Sequence, residues 1–139
     1  MKRMDRPDDK EPIVRLTDQS DRYAVYTIYG GMAVDGTRGE LDIDNTPSLL
    51  EALEDELSQG NRALVIDMTP LTYIDSVGLA ALVEIRQRTA GDSTHPPRTV
   101  LVVAPPAGGV RRAFDIMRMN RVVNLRPTVA EAVAELAAG

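Results

Sequence analysis

Two uninterrupted apolar runs stand out along the chain: residues 63–66 (ALVI), closed by Asp67, and residues 99–104 (TVLVVA), closed by Pro105 and Pro106. Short apolar runs bounded by polar and proline signals predict strands buried on both faces, the habit of parallel sheets. Residues 79–86 (LAALVEIR) lie between them and read as a mostly apolar helix, so the three form a strand–helix–strand unit. Upstream, residues 23–29 (YAVYTIY) alternate and are rich in β-branched and aromatic side chains, which predicts another strand. A shorter strand is expected at residues 13–16, with a turn over 18–21. Residues 32–34 offer one more strand between the glycine breaks at Gly30-Gly31 and Asp35-Gly36.

Helical spacing appears three further times. Asn45 or Thr46 can cap a helix that has Pro47 in its first turn, Leu49, Leu50, Leu53 and Leu57 on one face, and Gly60 at its end. Val110, Phe114 and Met117 share a second helical face, and Val122-Val123 suggests a short edge strand after it. Thr128 and Glu131 frame a capping box that opens the last helix, with Val129, Val133 and Leu136 facing inward. The order predicts a single α/β domain over residues 13–138, with a mixed sheet, a parallel centre and about four helices. Residues 1–12 (MKRMDRPDDKEP) are too polar to offset their ordering entropy and are expected to form a disordered arm.

Composition narrows the function classes. The chain has 139 residues, no cysteine and one histidine, which leaves zinc chemistry and a histidine-activated nucleophile poorly supplied. No apolar run approaches the ~20 residues of a membrane span, and the polar start carries no signal-peptide core, so a cytoplasmic protein is expected. A net charge of −5 argues against direct nucleic-acid binding. Arg98, Arg111, Arg112, Arg118, Arg121 and Arg126 nevertheless accumulate late in the chain, as solvated surface or as a patch for an acidic partner.

Candidate chemistry is sparse. Residues 31–37 (GMAVDGT) lack the lysine of a phosphate-binding loop. His95 lies in a proline-flanked loop and reads as exposed. Asp42, Asp67 and Asp75 could in principle share a site, although Asp67 ends a strand where aspartate often satisfies turn donors. Ser76 is not in a nucleophile elbow, because Ile74 and Asp75 precede it where a glycine is required. On spacing alone Ser76 reads as the N-cap of the following helix. No catalytic residue, metal site or cofactor is expected.

The residues carry more than their spacing. Gly39-Glu40-Leu41-Asp42, Leu64-Val65-Ile66-Asp67 and Tyr73-Ile74-Asp75-Ser76-Val77-Gly78-Leu79 resemble the STAS domain family, and within it the bacterial anti-sigma factor antagonists. Residues 110–115 (VRRAFD) and 128–132 (TVAEA) are similar to that family's later helices. The resemblance implies a STAS-like fold and a stress-linked, partner-switching role in transcription regulation. An unphosphorylated antagonist binds an anti-sigma serine kinase of the histidine-kinase-like ATPase fold and frees a sigma factor. Phosphorylation at Ser76 expels it, and a PP2C-type phosphatase restores it. By the same resemblance Asp42 and Asp75 belong to the partner-binding surface; Val77 and Gly78 beside the serine are expected there too, Gly78 because its lack of a side chain lets a partner approach. The alternative is a STAS scaffold or accessory module without a phosphate cycle, as in a stressosome or a lipid transporter. Val77 replaces a second small polar residue, residues 31–38 look like an insertion, and Arg118-Met119 replaces a Gly-Leu helix end, leaving Asn120 to supply the turn.

Overall fold

The computed structural model describes residues 12–32 and 35–138; the expected arm therefore lies, Pro12 apart, outside the described residues. The main sheet holds five strands in the order β1-β2-β5-β7-β8: β1 Val14–Gln19, β2 Tyr23–Ile28, β5 Ala63–Asp67, β7 Val100–Val103 and β8 Asn124–Leu125. β1 runs antiparallel to β2, and every other pairing is parallel, with Val25 opposite Val65 and Val65 opposite Leu101. β8 lies two residues beyond the expected Val122-Val123, because Val123 turns into the core instead of extending along the edge.

Both faces of the central strands are covered, which is why β5 and β7 show no polar alternation. On one face Ala24, Leu64, Ile66 and Val102 pack with Leu49, Leu53, Leu82, Ile85 and Phe114. On the other, Val25, Val65, Leu101 and Val103 meet Ala132, Val129, Val133 and Leu136. The second group comes from the last helix, which Thr128 caps, its Oγ1 accepting from the Glu131 N–H at 3.1 Å; this is the threonine half of the expected capping box.

A second, three-stranded sheet was not expected. It pairs β3 Gly31–Met32 antiparallel with β4 Arg38–Leu41, and β4 parallel with β6 Tyr73–Ile74. This small sheet positions the site described below, because it sets Leu41 opposite Ile74.

Among the described residues five helices surround the sheets: α1 Thr46–Ala52, α2 Glu54–Gln59, α3 Ser76–Thr89, α4 Gly108–Ile116 and α5 Val129–Ala138. The first expected helix is broken in two at Leu53, whose backbone opens to φ −91°, ψ −2°. Gly60 ends α2 in extended rather than left-handed backbone. No helix among the described residues is long and apolar enough to cross a membrane.

The end of α4 corrects two expectations. Met117 does not continue the face of Val110 and Phe114; it lies beyond the helix and is largely exposed. The turn that follows is made by Arg118 itself, at φ 53° and ψ 46°, not by Asn120. A side chain in left-handed backbone costs on the order of 1 kcal/mol, which glycine avoids. Arg118→Gly is therefore expected to raise stability by about 0.5–1 kcal/mol, read from the urea midpoint at unchanged slope.

Candidate functional site

The strand–helix junction is built by the small sheet. The Asp75 N–H donates to the Leu41 carbonyl at 3.1 Å, and the Thr72 N–H to the Gly39 carbonyl at 2.9 Å. These bonds lay the loop after β4, residues 42–45, beside the start of α3. Asp42 is thereby brought to the same end of the domain as Asp75 and Ser76, from which it is distant in sequence.

Asp75, not Ser76, is the N-cap. Its backbone is extended, at φ −100° and ψ −176°, and its Oδ1 accepts from the Gly78 N–H at 2.9 Å. Its Oδ2 accepts from the Ile43 N–H at 2.9 Å, tying the loop to the helix. Ser76 is the first helical residue, exposed, and its hydroxyl has no hydrogen-bond partner among the described residues. The expected capping role of Ser76 is thus overturned: the chain enters the helix one residue earlier, and aspartate is as good a cap as serine.

The loop is also held from within. Asp42 Oδ1 accepts from the N–H groups of Asp44 (3.0 Å) and Asn45 (3.2 Å). Asn45 Oδ1 accepts from the Asp42 N–H at 2.9 Å, and the Thr46 hydroxyl donates to the Asp42 carbonyl at 2.6 Å. The side chain of Asn45 is therefore committed to the loop, not to capping α1. Ile43 is left 64 % exposed at the loop tip, and Tyr73, three residues before the serine, is 50 % exposed.

Val77 is half-buried and Gly78 is buried. A side chain at Gly78 would come within 2.7 Å of Ile74 Cγ1 and 3.0 Å of the Leu41 carbonyl oxygen. What glycine permits there is the close approach of α3 to β4 and β6.

Among the described residues, neither Asp67 nor His95 is placed to activate Ser76. Asp67 is engaged elsewhere, its Oδ1 accepting from the Thr69 N–H and hydroxyl and its Oδ2 from Thr27 at 3.3 Å. His95 is exposed beyond the far end of α3, about 20 Å of helix away, where it contacts Asp92. Backbone and side-chain bonds from Thr94, with further bonds from His95, hold that Asp92 carboxyl down at about 2.

The late arginines divide. Arg98 is buried against Glu56 at 2.7 Å, Arg126 pairs with Glu135, and Arg111 donates to the Pro105 carbonyl. Arg112, Arg118 and Arg121 keep no acidic partner among the described residues. Of the two readings of these arginines, solvated surface or a patch for an acidic partner, the structure leaves at most three side chains on and just after α4 for a patch. Sequence reading also missed the Ile43–Asp75 bond, which depends on the unexpected second sheet.

Two substitutions separate the roles at the junction. Asp75→Ala removes the cap and the loop tie, and is expected to cost about 1–2 kcal/mol in chemical denaturation. Ser76→Ala, which removes no bond, is expected to stay within about 0.5 kcal/mol of the wild type.

Comparison with known proteins gives concordant results. The family model of the STAS domain matches residues 23–132. The anti-sigma-F factor antagonist RsfB of Mycobacterium tuberculosis is 28% identical over 112 residues, covering 80% of this chain and 86% of the relative. Among solved structures, an anti-sigma factor antagonist from Mycobacterium paratuberculosis superposes with a TM-score of 0.68 at 24% identity, over 96% of this chain and 99% of that one. The anti-sigma factor antagonist SpoIIAA in its unphosphorylated form gives 0.61 at 13% identity, over 91% of this chain and 98% of that one. At these identities the structural likeness is one of fold.

Proposed function

The chain belongs to the STAS domain family, and from that premise we propose that it is an anti-sigma factor antagonist switched by phosphorylation of Ser76. In the cytoplasm its unphosphorylated form binds an anti-sigma serine kinase and releases a sigma factor. Asp42, Asp75 and Val77 contribute to the contact surface, with Gly78 supporting it from beneath. The observation that carries this reading is the exposed, unengaged Ser76 hydroxyl at the first position of α3, beside a cap that does not depend on it.

The chemistry follows from that position. The kinase transfers the γ-phosphoryl group of ATP to Ser76 Oγ, the hydroxyl proton leaves to a base on the kinase, and ADP departs. A PP2C-type phosphatase reverses the state by hydrolysis, with water supplying the oxygen of the released phosphate. The protein contributes no catalytic group to either step. Phosphate adds about −1.5 to −2 charges at pH 7. At a helix start the unpaired N–H groups and the macrodipole tolerate that charge, so the domain stays folded. Against a packed partner the same charge must be desolvated next to Asp75, which costs several kcal/mol.

Intact-mass measurement after incubation with ATP and an anti-sigma kinase tests the assignment. One added phosphate on the wild type and none on Ser76→Ala is expected. A phosphate retained by Ser76→Ala overturns the site. Co-purification with a transporter ATPase, and not with a sigma-regulating kinase, overturns the function.

A further inference from the structure

We infer that Asp75 is the positioning residue through which phosphate on Ser76 reaches the docking loop at residues 42–45; this deepens the switch proposed above and rests on it. The loop's amides are informative one by one. Those of Asp44 and Asn45 are taken by the Asp42 side chain, that of Asp42 by the Asn45 side chain, and that of Thr46 by the Asp42 carbonyl. Only the Ile43 amide leaves the loop, and its acceptor is Asp75 Oδ2. The other oxygen of the same carboxylate caps α3 at Gly78. One side chain therefore fixes both the helix start and the loop tip that presents an exposed isoleucine.

Phosphate on Ser76 would sit one residue from that carboxylate and compete with it for the Gly78 N–H. Two anions cannot share that donor without strong repulsion, and the phosphate brings more acceptors and more charge. The carboxylate is displaced, the Ile43 amide loses its acceptor, and the loop tip is freed. The phosphate thus acts twice, by its own charge at the contact surface and by unfastening Ile43 beside it. Asp75→Asn imitates the second effect alone, because the single carbonyl oxygen of the amide can accept at Gly78 or at Ile43 but loses the bidentate bridge.

The test uses the full chain labelled with 15N, with phosphoserine installed at position 76 during synthesis so that no kinase is needed. Phosphorylation and Asp75→Asn are each expected to speed exchange of the Ile43 amide by about tenfold and to shift its resonance. Ser76→Ala is expected to leave it unchanged. Asp75→Asn keeps its melting temperature within a few degrees, since asparagine also caps helices, yet binds the unphosphorylated protein's partner kinase about tenfold more weakly. An Ile43 amide indifferent to phosphate or to Asp75→Asn overturns the inference and leaves the switch at Ser76 standing. A kinase that leaves Ser76 unmodified overturns the switch, while the amide response still reports on Asp75.

Discussion

Replacing Glu56 by alanine is expected to destabilise the domain by about 3–5 kcal/mol. Glu56 on α2 is buried and accepts from Tyr26 Oη at 2.9 Å, Arg62 Nη2 at 3.0 Å and Arg98 Nη2 at 2.7 Å. Its own carbonyl takes a further bond from Arg98 at 2.8 Å, and Arg98 donates again to the Arg62 carbonyl. The Arg98 side chain is only 7% exposed, so removing the carboxylate leaves a largely desolvated cation without its charged partner. At this chain length such a loss lowers the melting temperature by roughly 10 °C or more.

The same cluster sets a pH signature. Burial alone would raise the Glu56 pKa, but hydrogen bonds from Arg62 and Tyr26, with the charges of Arg62 and Arg98, outweigh it and hold the carboxyl below its usual value. A depressed carboxylate contributes stability that is present above the unfolded value near ~4.3 and is lost as the pH falls through the folded value. The gap between wild type and Glu56→Gln should therefore narrow in acid. Tyr26 works at the other end: desolvation, then the Glu56 hydrogen bond, push its hydroxyl up to about 12. Its contribution is complete below the unfolded value near ~10 and is lost as the pH rises toward the folded one. Denaturation midpoints measured across the pH range check both; a gap that stays constant below pH ~4 contradicts the assignment of Glu56.

Ser76→Asp is expected to lower partner affinity by about 30-fold or more while the domain stays folded. An unpaired charge carried into a packed interface costs about 2–5 kcal/mol, and each 1.4 kcal/mol is tenfold in affinity. Folding should be indifferent, because the cap belongs to Asp75 and an acidic residue in the first turn suits the helix dipole. Far-UV circular dichroism and the melting temperature read the fold, and calorimetric titration reads the affinity. An unfolded Ser76→Asp would show that position 76 is a structural element after all.

What could be read in the chain followed the strength of its local patterns. β5 and β7 were legible because burial on both faces leaves unbroken apolar runs, and α5 because its capping box and inward face agree. β3, β4 and β6 span two to four residues each, too short to establish a period, so the sheet that brings residues 42–45 beside Ser76 was not legible. The break at Leu53 carries no glycine or proline to mark it. Asp75 and Ser76 are both favoured caps, and only the backbone at position 75 distinguishes them. Arg98 read as surface because its partner, Glu56, lies 42 positions away. The candidate serine was legible through its motif; the carboxylate that fastens the neighbouring loop emerged only from long-range pairing.

The most direct measurement is the affinity of an anti-sigma kinase for three preparations of this chain: unphosphorylated, phosphorylated at Ser76, and phosphorylated then treated with a PP2C-type phosphatase. The account predicts tight binding, a fall of about 100-fold or more, and full recovery. Equal affinity in all three preparations would contradict it.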